Sequence, residues 1–201
     1  MKAVLNIFTL LLAAVVGAVG VQIADNIPRF WTAISSVWRA PNCENPKGLR
    51  LVQGEATTSS VLPSTETPRG TFRYDAKNVL DNDSGTAWVE GVPGWGIGQQ
   101  LTIQLPQTLD VRLVCVVNGL PLDDNLYRRN GRVKSFDVRT DRGERLDSRL
   151  TDEAIDVPQA IEIPPGPTAR IELTVREVYV GKGQDRFDDT AVAEVLVYAA
   201  A

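Results

Sequence analysis

The chain has 201 residues, 43% of them hydrophobic, which is enough for one domain with an appendage and excludes wholesale disorder. Its net charge of −4, from 21 bases and 25 acids, excludes a nucleic-acid binder that works through a basic face. There is no histidine, no G-x-S-x-G elbow, no Walker loop and no C-x-x-C pair, so histidine-based nucleophile systems and His-containing zinc sites are ruled out. Catalysis would have to rest on paired carboxylates, and a non-catalytic role is expected.

Residues 3–23 are almost unbroken apolar sequence, interrupted only by Asn6 and Thr9. That is about the ~20 residues a helix needs to cross a bilayer. Lys2 precedes the run, which places the N-terminus in the cytoplasm and the rest of the chain outside. Trp31, Trp38, Arg29 and Arg39 then suit a membrane–water interface, so 1–40 reads as an anchor with an interfacial flank. The alternative is a cleaved signal peptide, with Ala18 and Gly20 as a weak cleavage site and a secreted product. Residues 1–40 hold three bases (Lys2, Arg29, Arg39) and one acid (Asp25), leaving 18 bases against 24 acids beyond them. The exported part is therefore acidic.

Residues 41–54 read as a tether, opening a Pro-, Ser-, Thr- and Gly-rich stretch that runs to residue 70. Residues 55–201 form the domain, and its periodicity is that of strands. Leu101, Ile103 and Leu105 alternate with polar residues, as do Ile171, Leu173 and Val175, and 160–163 begins the same pattern. Residues 111–117, 132–140 and 191–199 are further strand candidates, with a turn at 141–143, and only 75–80 looks like a helical turn. Many short strands between Gly/Pro punctuation predict an all-β sandwich or barrel. Two cysteines in an exported domain suggest one disulfide, Cys43–Cys115, against the alternative of two free thiols.

The stretch YDAKNVLDNDSGTAWVEG at 74–91 is followed by GWGIG at 94–98. Asn118-Gly119, Tyr127 with Asn130, VYVG at 178–181 and DTAVAEV at 189–195 come after it in order. This series resembles the discoidin (F5/8 type C, galactose-binding-like) superfamily, in particular its NADase-type glycan-binding branch. The resemblance implies a discoidin-like jelly-roll β-sandwich behind the N-terminal helix. It also implies non-catalytic recognition of a glycan or another cell-envelope ligand outside the membrane. The alternative is an accessory subunit of a membrane protein complex, with the sandwich making protein contacts; a carboxylate-based hydrolase comes third.

The 81–86 turn presents Asp81, Asp83 and Thr86 as hard oxygen donors of the kind calcium prefers. Related sugar-binding discoidins hold a structural calcium with such a turn plus a late glutamate, here Glu194. Asn82 replaces the usual glycine and tolerates a left-handed conformation. A metal-free Asx-turn is the alternative. Trp88 is expected in the core. Trp95, in a loop with Gly91, Gly94, Gly96 and Gly98, either stacks on a sugar ring or caps the barrel end. Tyr127 and Arg129, in the polar loop 123–130, are the expected neighbours of Trp95 at the ligand, unless that loop is simply solvated.

Overall fold

The structure is a computed structural model that describes residues 42–68, 70–143, 145–152 and 155–201. The expected membrane span, its interfacial flank and the cleavage site lie outside the described residues. Among the described residues no helix is long and apolar enough to cross a membrane.

Among the described residues there are eleven strands, and nine of them are arranged around β6 (Gln100–Asn118), the longest. Its first part lies between β2 (Glu55–Thr58) and β10 (Pro167–Tyr179). Its second part lies between β9 (Gln159–Glu162) and β11 (Thr190–Ala200). One strand thus runs through both layers of a sandwich. The first layer continues from β10 to β7 (Gly131–Thr140) and β8 (Arg145–Arg149). The second continues from β11 to β1 (Leu49–Val52), with β5 (Trp88–Val89) also paired to β11. A short hairpin, β3 (Thr65–Thr67) with β4 (Gly70–Phe72), stands apart.

Strand alternation explains which residues face inward. Leu101, Ile103 and Leu105 of β6 and Ile171, Leu173 and Val175 of β10 are buried in one cluster, while Gln104 and Glu172 stay outside it. The second part of β6 is an apolar run because both of its faces are covered. Val114 and Val116 enter the main core, Val117 joins a second cluster, and Cys115 is bonded to Cys43 with a Cα–Cα distance of 5.8 Å. That bond joins the turn closed by Asn42 and Asn45 to the middle of the sandwich. The stretch 41–54, read from sequence as a tether, supplies β1, whose four residues pair with Val197–Ala200 of β11.

Polar residues of the long motif also fasten loops. Asn78, in a 3-10 turn at Ala76–Leu80, donates to the carbonyls of Arg73 (2.7 Å) and Ala87 (2.9 Å). Trp88 is fully buried, as expected, and donates its indole N–H to the Ser60 carbonyl. Asn118 bridges β6 to Val133 with both halves of its amide. Each satisfies buried backbone groups that would otherwise cost free energy.

Residues 123–130, expected as a loop, contain the helix α1 (Asp124–Arg129). A six-residue helix is marginal alone, and both of its ends are tied down. The Asp123 carboxylate accepts the Leu126 N–H at 2.7 Å. Arg132, only 1% exposed, donates to the carbonyls of Arg128 and Asn130 and pairs with Asp152 at 2.9 Å. These bonds satisfy carbonyls at the helix C-terminus that have no partner within the helix.

Candidate functional site

The C-terminal ends of β6 and β10 and the starts of β7 and β11 lie at one end of the sandwich, where β11 and β7 pair in parallel at Thr190–Gly131. At this end the connecting segments enclose a cavity of about 450 Å³. Its walls are chiefly apolar: Leu62, Phe72 and Tyr74 from around the hairpin, Leu120 and Leu122 after β6, Leu126 of α1, and Phe187 before β11. Leu122 and Phe187 are 42% and 39% exposed, so the apolar wall reaches the surface.

Thr65 and Thr67 of the hairpin join the lining, as do three larger polar side chains, Asp123, Asn130 and Asp189. Asp123 is engaged in capping α1, and Asn130 donates to the Leu126 carbonyl. Asp189 differs from both. Its carbonyl accepts the Gly131 N–H at 2.7 Å, but no hydrogen bond or ion pair joins its carboxylate to any described residue. Partial burial, and then the charge of Asp188, push its pKa above the usual carboxylate value. A half-buried acceptor held between aromatic and aliphatic walls is equipped to take hydrogen bonds from hydroxyl groups of an amphipathic ligand.

None of Trp95, Tyr127 and Arg129 lines this cavity. The Tyr127 side chain is buried at 1% exposure, with the Arg132 guanidinium over its ring, and so offers no face to a ligand. Gly119 explains the packing: its φ is +80°, and a Cβ there would strike the Tyr127 ring at 2.8 Å. Arg129 donates to the Asp185 carbonyl and stacks 4.5 Å from the Phe187 ring, behind the cavity wall. Trp95 is half-buried, and its carbonyl accepts the Thr190 hydroxyl. Its loop is pinned by Glu90, which is fully buried and accepts the N–H groups of Val92 and Thr190. Burial raises the pKa of Glu90, with Asp189 and Asp188 adding to the effect. Gly96, at φ +63°, sits where any Cβ would collide with the Glu90 side chain.

Asp81, Asp83, Thr86 and Glu194 come together. The Asp83 N–H donates to Glu194 Oε1 at 2.7 Å, across 111 residues of sequence. Asp81 accepts the Asp83 N–H and the Thr86 hydroxyl, and the Asp83 carboxylate turns back to accept the Gly85 N–H at 2.9 Å. Asn82 is left-handed, at φ +61°. These bonds close the turn as an Asx-turn. Glu194 is less settled: it is 4% exposed, and its Oε2 is buried without a hydrogen-bond partner among the described residues. Burial first, and then the neighbouring Asp81, push its pKa up to about 7. Among the described residues no three carboxylate or cysteine side chains converge as a complete metal cage. Both Asp81 oxygens accept bonds within the turn, whereas Glu194 Oε2 and the second Asp83 carboxylate oxygen take no hydrogen bond from a described residue; hard oxygens of this kind suit a calcium ion.

Residues 52–198 match the family model of the NAD glycohydrolase translocation F5/8 type C domain. The chain belongs to that family. Among solved structures, the F5/8 type C domain is similar to a family 32 carbohydrate-binding module of NanJ from Clostridium perfringens, solved with galactose. That likeness has a TM-score of 0.52 and 17% identity over 75% of this chain and 98% of the module. A second module from Clostridium perfringens, solved with GalNAc-beta-1,3-galactose, has a TM-score of 0.54 and 15% identity over 75% of this chain and all of the other. The arabinofuranosyltransferase AftD from Mycobacteria contains a similar segment, with a TM-score of 0.53 and 22% identity over 74% of this chain. The match spans only 11% of that much longer protein. At these identities the likeness is one of fold, the discoidin-like β-sandwich. No curated protein matches the chain.

Proposed function

We propose that this F5/8 type C domain is a non-catalytic recognition module that binds a glycan in the cavity at the β6–β7 and β10–β11 end. The observation that carries the proposal is the uncommitted Asp189 carboxylate on an apolar wall that includes Phe72, Tyr74 and Phe187. A sugar ring has an apolar face for an aromatic ring and hydroxyls for a carboxylate. The similar modules solved with galactose support the same reading. Glycoside hydrolysis takes two free carboxyls flanking the bond, and in this cavity Asp123 is occupied by the helix cap.

The test is calorimetric titration with galactose and a panel of neutral oligosaccharides. Phe187→Ala should weaken binding about tenfold or more, as an aromatic contact would, with little change in melting temperature because the ring is 39% exposed. Unchanged affinity in Phe187→Ala and Asp189→Asn would overturn the assignment of the cavity.

The module faces the outside of a membrane in this proposal, carried by residues 1–40. The Cys43–Cys115 bond supports that address, because disulfides persist in oxidising compartments. A calcium ion held by Asp81, Asp83, Thr86 and Glu194 belongs to the same proposal. When bound, it would neutralise two facing carboxylates and fasten the 81–86 turn to β11. The similar segment makes up only 11% of the arabinofuranosyltransferase, which supports a second reading, an accessory module that uses the sandwich for protein contacts.

A further inference from the structure

A second groove, which shares no lining residue with the cavity, lies where β7, β8 and β10 adjoin. Its volume is about 340 Å³, and it is lined by Ser135, Ser148, Arg149, Arg176 and Glu177. The backbone here is irregular: the pairing of β10 with β7 shifts register on either side of Glu177 and leaves Arg176 without a partner in the ladder. A bulge of this kind re-aims the side chain of its extra residue. Arg176 is exposed and makes no hydrogen bond or ion pair with any described residue. The Ser148 hydroxyl is buried, in a residue 7% exposed, and has no hydrogen-bond partner among the described residues.

The charge of the groove opposes that of the domain. Glu177 pairs with Lys134 at 2.6 Å and more loosely with Arg149 at 3.5 Å. Lys134, first by its hydrogen bond and then by its charge, holds the Glu177 carboxyl below its usual value, so it is ionised at neutral pH. Lys134, Arg149 and Arg176 therefore stand against one carboxylate, whereas the chain beyond residue 40 as a whole carries 18 bases against 24 acids. A guanidinium fork with a free hydroxyl matches an oxyanion in geometry and charge.

We infer that this groove binds an oxyanion, a sulfate, phosphate or carboxylate, carried on a saccharide, and that the module therefore reads acidic glycans through a site separate from its cavity. The saccharide half of this inference rests on the glycan reading above; the oxyanion half rests on the groove alone.

The experiment titrates the full chain with a sulfated disaccharide, its unsulfated counterpart and inorganic sulfate, at low and at raised salt. The sulfated disaccharide should bind more tightly than the unsulfated one, and its affinity should fall with ionic strength. Arg176→Gln and Arg149→Gln should each weaken it about tenfold, the scale of a lost charge-assisted hydrogen bond. Ser148→Ala should weaken it without lowering the melting temperature, since that hydroxyl serves no internal bond. Equal affinity for the two disaccharides, or full affinity in Arg176→Gln, would overturn the groove while leaving neutral-glycan binding untouched. Sulfate binding that survives when no sugar adds to it would uphold the oxyanion site and overturn its saccharide half.

Discussion

At the scale of single residues, Glu194 carries the most consequence. A buried carboxyl facing Asp81 with one oxygen unpartnered is costly when ionised. Its pKa is raised from 4.5 to about 7 in the fold, so protonation favours the folded state. Its contribution is fully present below pH 4.5 and is lost as pH rises through 7. In chelator, the melting temperature should therefore fall between pH 5 and 8, a loss on the order of 3 kcal/mol at most. Calcium at pH 8 should restore it, by binding the folded state alone, and Glu194→Gln should remove both responses. A melting curve at pH 8 that is identical with calcium and with chelator would leave the 81–86 turn metal-free. The meeting of Glu194 with this turn was legible in the sequence only through the resemblance, because 111 residues separate Glu194 from Asp83. Asp189 and Phe187 were not singled out. They sit in a loop where no periodicity marks an inward side chain, and only an aromatic between charged neighbours, in DRFDD, could have drawn notice.

At the scale of elements, strands announced themselves and their boundaries did not. Leu101, Ile103 and Leu105 alternate because one face of β6 is covered there, whereas residues 111–117 read as a plain apolar run because both faces are. β1 escaped notice inside the Gly- and Pro-rich stretch since it is an edge strand made by its partner β11. The helix α1 escaped because six residues carry no periodic signal, and its stability comes from Asp123 and Arg132. Tyr127 was misplaced for the same reason: on a solvated loop it would be exposed, while on α1 it turns inward. The Cys43–Cys115 bond closes across a separation of 72 residues and holds the start of the domain against β6. In the chain-entropy view such a loop is worth about 4 kcal/mol. Thiol labelling of denatured, unreduced chain should find no free cysteine, and reduction should lower the melting temperature by several degrees. Two labelled thiols before reduction would remove the bond and with it the structural support for an oxidising compartment.

At the scale of the whole molecule, the sandwich carries two dissimilar surfaces with separate linings. One end carries an apolar cavity with a single uncommitted carboxylate, and the β7–β8–β10 edge carries a cationic groove. The fold supplies rigid strands, and the chemistry sits on the segments between them and at one bulge. That division is why fold was readable from pattern while the site was not: alternation reports burial, and a binding surface is defined by what remains unburied. The central claim is that the cavity end is where a sugar binds. Backbone amide chemical shifts of the full chain, followed by NMR while the tightest neutral oligosaccharide is added, test it most directly. Perturbations should cluster at Leu62, Phe72, Leu122, Leu126, Phe187 and Asp189, with the β7–β8 edge unmoved. Perturbations centred on Gly94, Trp95 and Gly96 instead, with Phe187 and Asp189 silent, would contradict it.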